Sequence, residues 1–253
     1  MPHFSRYWIA LPLSLTLSCV GAETTAPEAP PLKIGVILPL TGGSSDMGNS
    51  ARVGAQVAVN EINAVGGYRG RKFELVIRDD QANPDIGLKH AQELVLTEKV
   101  AATVGFCNTG VAMKALDVFQ TNAHLLIVTC ATGTAITAKY PAADSYIFRT
   151  SARDALQSQF LVADIAKHNL KKVALLVDSS GYGDGGLKDL EAALQTVGLK
   201  PHIVVRFKVG VKTLTDDFIM MNNNSSNQRI WIGVSDGFFR EFKATLHVNF
   251  VVH

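Results

Sequence analysis

Short apolar runs alternate with longer stretches of helical period from Leu32 to Phe207. The run KIGVILPL ends in the turn Thr41-Gly42-Gly43, and Ala51, Ala55, Ala58, Ile62 and Val65 then recur at i, i+4, i+7, i+11 and i+14. That spacing predicts a helix laying this face on a sheet, stopped by Gly66-Gly67. Phe73 to Arg78 predicts a second strand, and Asn83-Pro84 opens a helix that turns Leu88, Ala91 and Val95 inward. Further strands are expected at Val100 to Phe106, Leu125 to Thr129 and Tyr146 to Arg149, with a helix over Val111 to Phe119. Strands alternating with helices predict a parallel sheet with right-handed crossovers.

The pattern then restarts. Ala155 to His168 reads as a helix facing the core with Leu156, Phe160 and Ala163, Lys172 to Asp178 as a continuously apolar strand, and Leu187, Leu190, Leu194 and Val197 as the next helix face. Pro201 to Phe207 adds a strand. These lengths fit two cores better than one wide sheet, divided near Ile147 to Ser151 with Arg149 at the hinge. The expected organisation is a leader over 1–22, a Pro-rich linker over 23–31, a first lobe over 32–148, a partial second lobe over 149–211 and an atypical tail over 212–253.

The leader rests on Arg6, the ten-residue apolar run Trp8 to Leu17, and the small residues Val20-Gly21-Ala22, with cleavage expected after Ala22. The run is shorter than the roughly 20 apolar residues that span a bilayer. Lipid attachment at Cys19 is the alternative, against which Thr16 stands where a lipobox has Leu. With a formal net charge of +2 and no basic stripe, the chain offers no footprint for nucleic acid. Cys107 and Cys130 lack metal-type spacing and read either as small buried hydrophobes or as a disulfide.

The polar loops all follow strands: Thr41-Gly42-Gly43, Asn108-Thr109-Gly110, Cys130-Ala131-Thr132-Gly133 and Ser179-Ser180-Gly181-Tyr182. In a doubly wound sheet the first three line one crevice, where hydroxyls, an amide and free helix-start N–H groups suit a carboxylate or other small polar head. Enzyme signatures are lacking. There is no G-x-S-x-G or HExxH, and neither a dinucleotide fingerprint nor a P-loop follows the first strand. Asp79 and Asp80 point to opposite faces of their strand, which argues against a shared carboxylate site.

IGVILPLTGG, G..AVNEINAVGGYRGRKFELVIRDDQANP, VGFCNTG, ATGTAIT and YIFRTSARD occur in this order, and with them the chain closely resembles the amino-acid/amide-binding proteins of ABC importers, the branched-chain group of periplasmic binding proteins. The resemblance spans about Leu32 to about Gly210. It implies an α/β fold of two Rossmann-like lobes joined by a hinge, a small-molecule ligand such as an amino acid held between them, no catalysis and no cofactor. It also implies delivery to an ABC permease in the inner membrane by a periplasmic monomer. The family binds the ligand head group with a side chain corresponding to Asn108 or Thr109, where Ser is common in place of Asn108. Cys130, Ala131 and Thr132 complete the first-lobe grip, and Tyr182 closes from a loop of the second lobe. A ligand-sensing domain of a receptor or regulator on the same fold is the alternative, and after it an exported α/β enzyme.

Past Val209-Gly210 the family pattern fades. Asn222 to Asn227 is a polar run and the later apolar residues lack a steady period, so the expectation is a truncated or frameshifted reading frame, with family-type sequence ending between about Lys212 and Phe218. An incomplete second lobe is expected to leave apolar faces uncovered, to bind weakly and to aggregate.

Overall fold

The structure is a computed structural model that describes residues 29–211, 229–234 and 250–252. The expected leader, Cys19, most of the linker and the run Asn222 to Asn227 lie outside the described residues.

The first lobe is a five-stranded parallel sheet of β1 (Leu32–Leu38), β2 (Phe73–Asp79), β3 (Ala102–Gly105), β4 (Leu126–Val128) and β5 (Ile147–Arg149), ordered β2-β1-β3-β4-β5. Its strands alternate with helices α1 (Ser45–Ala64), α2 (Pro84–Gln92), α3 (Thr109–Thr121) and the short α4 (Ala135–Ala138). The winding direction reverses between β1 and β3, and the crevice at such a switch is where open α/β sheets bind ligands. β1 is buried along its second half, and Ile37, Leu94, Phe106, Leu116, Phe119, Leu126 and Ile136 form the core with it.

The second lobe repeats the motif. A sheet ordered β7-β6-β8-β9 is built from β6 (Lys172–Asp178), β7 (Ile203–Phe207), β8 (Arg229–Val234) and β9 (Phe250–Val252), again all parallel. Helices α5 (Asp154–Lys167) and α6 (Gly181–Thr196) pack with it around Val162, Ile165, Val173, Leu175, Leu190 and Leu194. The α/β architecture with two cores is as expected. The segment RIWIGV, to which periodicity assigns no element, is the strand β8. It sits between β6 and β9 and has the apolar run of a central parallel strand, but no helical period flanks it in sequence, so the alternation that marks the other strands does not single it out. Because β5 ends at Arg149 in register with Val128, the chain crosses between lobes over Thr150 to Arg153.

Three helix faces differ from expectation. α1 meets the sheet through Gly48 and Val59, with Ala51 and Ala55 half-buried, while Ala58, Ile62 and Val65 are exposed. The reason is local: a Cβ on Gly48 would lie 2.0 Å from the Pro39 carbonyl oxygen, so the helix can dock closely only with glycine turned toward the strand end. In α2 Ala91 is buried as expected, beside Gly87, while Leu88 is only half-buried; the helix runs into a π-helical turn over Glu93–Thr97, where Leu94 is buried and Val95 packs against the core half-buried. In α5 the buried residues are Asp154, Ser158, Val162 and Ile165, whereas Leu156, Phe160 and Ala163 face solvent, Phe160 at 80% exposure. Both α1 and α5 carry apolar residues on more than one side, so periodicity finds a stripe without fixing which stripe is covered.

Candidate functional site

The site is set by an unusual turn at the end of β3. Gly105 approaches β1 so closely that a Cβ would lie 2.1 Å from the Ile37 carbonyl oxygen, and Phe106 is held at φ 61°, a left-handed conformation costly for an aromatic residue. The Phe106 amide donates to the Ile37 carbonyl (2.8 Å) and its own carbonyl accepts from the amides of Cys130 (3.4 Å) and Ala131 (3.2 Å). Such strain persists where surrounding bonds over-determine it, commonly at binding sites. Its effect is to bring Cys107-Asn108-Thr109 beside Cys130-Ala131-Thr132.

Asn108 stands at the N-cap of α3 without making the usual cap bond. Its Nδ2 donates instead to Ser44 Oγ (3.0 Å), which ties the loop after β3 to the start of α1. Asn108 is only 4% exposed and its Oδ1 has no hydrogen-bond partner among the described residues. The first N–H groups of α3 therefore have no side-chain cap, and a buried acceptor lies next to them. Thr109 is buried, and its Oγ1 accepts from the Gly133 amide at 3.2 Å.

Thr132 is fixed through its carbonyl, which accepts from the Asp154 amide (3.0 Å) and from Arg149 Nη1 (2.9 Å). Arg149 also donates to the Gly133 carbonyl at 3.0 Å. Burial lowers the Arg149 pKa from its usual value, against the opposing charges of Asp154 and Asp189. Arg149 is therefore a brace between the crossing and the loop after β4, a role invisible in sequence because its partners are backbone carbonyls. Ser44 is equally hidden: as a turn serine it carries no distinguishing signal.

The two adjacent aspartates separate, as the pleat requires. Asp79 accepts from the amides of Leu40 (2.8 Å) and Thr41 (3.3 Å) and from Thr41 Oγ1 (2.6 Å), shaping the loop after β1. Its burial acts to raise the pKa, but the bonds from Thr41, Gln81 and Leu40 outweigh it and hold the carboxyl below the usual range. Asp80 is fully buried, and desolvation pushes it up to about 6.

Across the interface, α6 begins against α3. A Cβ on Gly181 would lie 3.1 Å from Gly110 Cα, and Thr134 Oγ1 donates to Asp189 Oδ2 at 2.7 Å. Unlike α3, α6 is capped: Ser180 Oγ accepts from the amides of Tyr182 (3.1 Å) and Gly183 (3.2 Å). This start at Gly181 corrects the expectation for Tyr182. Expected in a loop, it lies in the first turn of α6, 9% exposed, and packs in the second-lobe core. Tyr182, Gly186, Leu190 and Ala193 at i, i+4, i+8 and i+11 form the buried face, so the phase of the helix carries the ring inward.

The site thus joins Asn108, Thr109, Cys130, Ala131 and Thr132 on one wall and faces them with the start of α6. Among the described residues no cluster of three or more metal-ligating side chains occurs, and no helix is long and apolar enough to cross a membrane.

The profile of a family described as periplasmic binding protein matches residues 31–221, beyond the Lys212 to Phe218 boundary expected from sequence. The chain is 36% identical over 170 residues to Leu/Ile/Val-binding protein homolog 3 of Brucella melitensis, covering 66% of this chain and 45% of that protein. It is 32% identical to the Leu/Ile/Val-binding protein BraC3 of Rhizobium johnstonii, over 74% of this chain and 50% of that protein. The chain spans about half the length of the curated relatives it matches. Among solved structures, the branched-chain amino acid substrate-binding protein LivJ of Streptococcus pneumoniae, in complex with isoleucine, superposes with a TM-score of 0.70 at 25% identity, covering 80% of this chain and 56% of that one. A solute-binding protein of an ABC transporter from Rhodopseudomonas palustris, in complex with 3,4-dihydroxybenzoic acid, gives the same score and identity over 80% of this chain and 53% of its own.

Proposed function

Because the chain belongs to the periplasmic binding protein family, we propose that it forms the gripping part of an extracytoplasmic solute-binding protein, which holds a small carboxylate-bearing solute, an amino acid first, and presents it to the permease of an ABC importer. The observation that carries this reading is the uncapped start of α3, with the buried Oδ1 of Asn108 beside it. A helix amino end is partially positive and its free N–H groups suit a carboxylate. The solutes held by the two structural neighbours, isoleucine and 3,4-dihydroxybenzoic acid, share that group and little else.

In the proposed site the amides of Thr109 and Gly110 and the loop Cys130-Ala131-Thr132 take the carboxylate, and Asn108 Oδ1 accepts from a solute N–H or O–H. Closure follows from electrostatics. Bringing the amino ends of α3 and α6 together sets two positive dipole ends face to face, which an anion between them makes favourable. Solute binding therefore favours the closed form by its differential affinity for the two forms, and a permease reads the difference. The protein acts as a monomer in the periplasm, without a cofactor and without chemistry on the solute. An aromatic acid is the second reading, favoured by the ligand of the Rhodopseudomonas structure.

Isothermal calorimetry with isoleucine and with 3,4-dihydroxybenzoate tests this. At least one is expected to bind, the Asn108→Ala variant to bind it about tenfold more weakly, equivalent to about 1.4 kcal/mol, and the corresponding amide to bind poorly. Equal affinity for acid and amide would exclude the carboxylate assignment.

A further inference from the structure

Cys107 and Cys130 stand side by side at the foot of the proposed site. β3 and β4 pair in register, Gly105 opposite Val128, and two residues further along each chain stand Cys107 and Cys130. The strands do not part there, because the Phe106 carbonyl still accepts from the Cys130 amide. Cys107 is buried, Cys130 is half-buried, and they pack together in one cluster with Val36 and Leu38. Both are thiols in this structure.

We propose that Cys107 and Cys130 form a dithiol site that is converted to an intramolecular disulfide by exchange with a small-molecule disulfide or a disulfide-carrying oxidoreductase. The order of attack follows from exposure and acidity. The Cys130 thiol shares a hydrogen bond with Cys107 that lowers its pKa, and it is the more exposed of the two, so it is the one to reach the nucleophilic thiolate form first. The Cys130 thiolate attacks one sulfur of the incoming disulfide, breaking its S–S bond, forming a mixed disulfide and releasing one thiolate. Cys107 then loses its proton and attacks the Cys130 sulfur, expelling the second thiol. In sum, two protein thiols are oxidised to one disulfide and one external disulfide is reduced to two thiols.

The bridge joins the two loops of the proposed grip, since Asn108 follows Cys107 and Ala131 follows Cys130. That consequence rests on the proposed solute site, while the thiol chemistry does not. Exported proteins meet oxidising conditions in which such exchange proceeds.

The test is incubation of the reduced, folded full chain with oxidised glutathione, followed by acid quench, alkylation and peptide mass mapping, which separates Cys19 from the pair. The expected product is one peptide pair linked through Cys107 and Cys130, two hydrogens lighter, with both residues lost to alkylation. Cys107→Ser should halt at glutathione on Cys130. If wild-type protein keeps both thiols alkylatable, or retains glutathione on Cys130 without bridging, the proposal is wrong, and the wild-type experiment decides this even if the variant does not fold. Absent bridging with solute binding intact sinks this proposal alone; bridging without solute binding sinks only the proposed function.

Discussion

Gly133 marks how little slack the proposed grip has. A Cβ there would come within 2.3 Å of Thr109 Cγ2, so Gly133→Ala must displace either the loop after β4 or the first residue of α3. Overpacking of this kind costs about 1–3 kcal/mol, and the expected result is a lower urea midpoint together with weaker solute binding. An unchanged midpoint would mean the loop can yield without cost.

Asp80 makes a different demand on the same region. Its Oδ1 accepts from the Ala82 amide at 2.8 Å, while Oδ2 has no partner among the described residues. Burial raises its pKa to about 6, with the charge of Asp79 adding to the effect. In the unfolded chain an Asp titrates near about 3.9, so between these values the folded chain holds a proton that the unfolded chain has lost. The associated stability is fully present below about pH 4 and is lost as pH rises through about 6. A carboxyl whose titration moves over that interval on folding changes stability by about 3 kcal/mol. Asp80→Asn removes this titration, so its stability relative to wild type should rise by about that amount between pH 4 and pH 7 in urea unfolding. Parallel pH profiles for the two proteins would assign the acid-range behaviour to other carboxyls.

At the scale of elements, α2 shows what sequence makes plain. Asn83 Oδ1 accepts from the amides of Asp85 (2.9 Å) and Ile86 (3.3 Å), with Pro84 at the first helical position, as the Asn-Pro pair predicts. Asn83→Ala should cost about 1 kcal/mol in thermal or urea unfolding, and no loss would mean water caps the helix equally well. Strands are legible for a similar reason: parallel strands covered on both faces read as apolar runs, and the loops after them carry turn residues with defined roles. Helix phase is less legible. The glycine neighbours of Tyr182 suggest a loop, although its spacing to Leu190 and Ala193 places it on the core face of α6. Asn108, Thr109 and the loop Cys130 to Thr132 can be found because they follow strands at one sheet edge. Ser44 and Arg149 cannot, since their contacts join segments distant in sequence: Ser44 meets Asn108, and Arg149 meets backbone carbonyls.

For the whole molecule, the helix stripes that periodicity finds but the sheets leave uncovered become the leading feature. α5 presents Leu156, Phe160 and Ala163 to solvent, and α1 with its C-cap presents Ala58, Ile62 and Val65 of its stripe, the last 84% exposed, together with Val53 and Val57 from outside it. Exposed apolar surface of this kind promotes association, because burying it between copies removes it from water at about 25 cal/mol per Å². Concentrated protein should therefore self-associate. Phe160 gives the sharpest test, being the large aromatic at the centre of the α5 stripe and contributing little to the core. Phe160→Glu should leave unfolding stability within about 0.5 kcal/mol of wild type, as expected for a surface change, while shifting sedimentation velocity profiles toward the monomer at high concentration. A variant that sediments as wild type would move the association face away from α5 and leave α1 to be probed through Val57→Glu. A variant that unfolds much more easily would mean that Phe160 is covered in solution by part of the same chain.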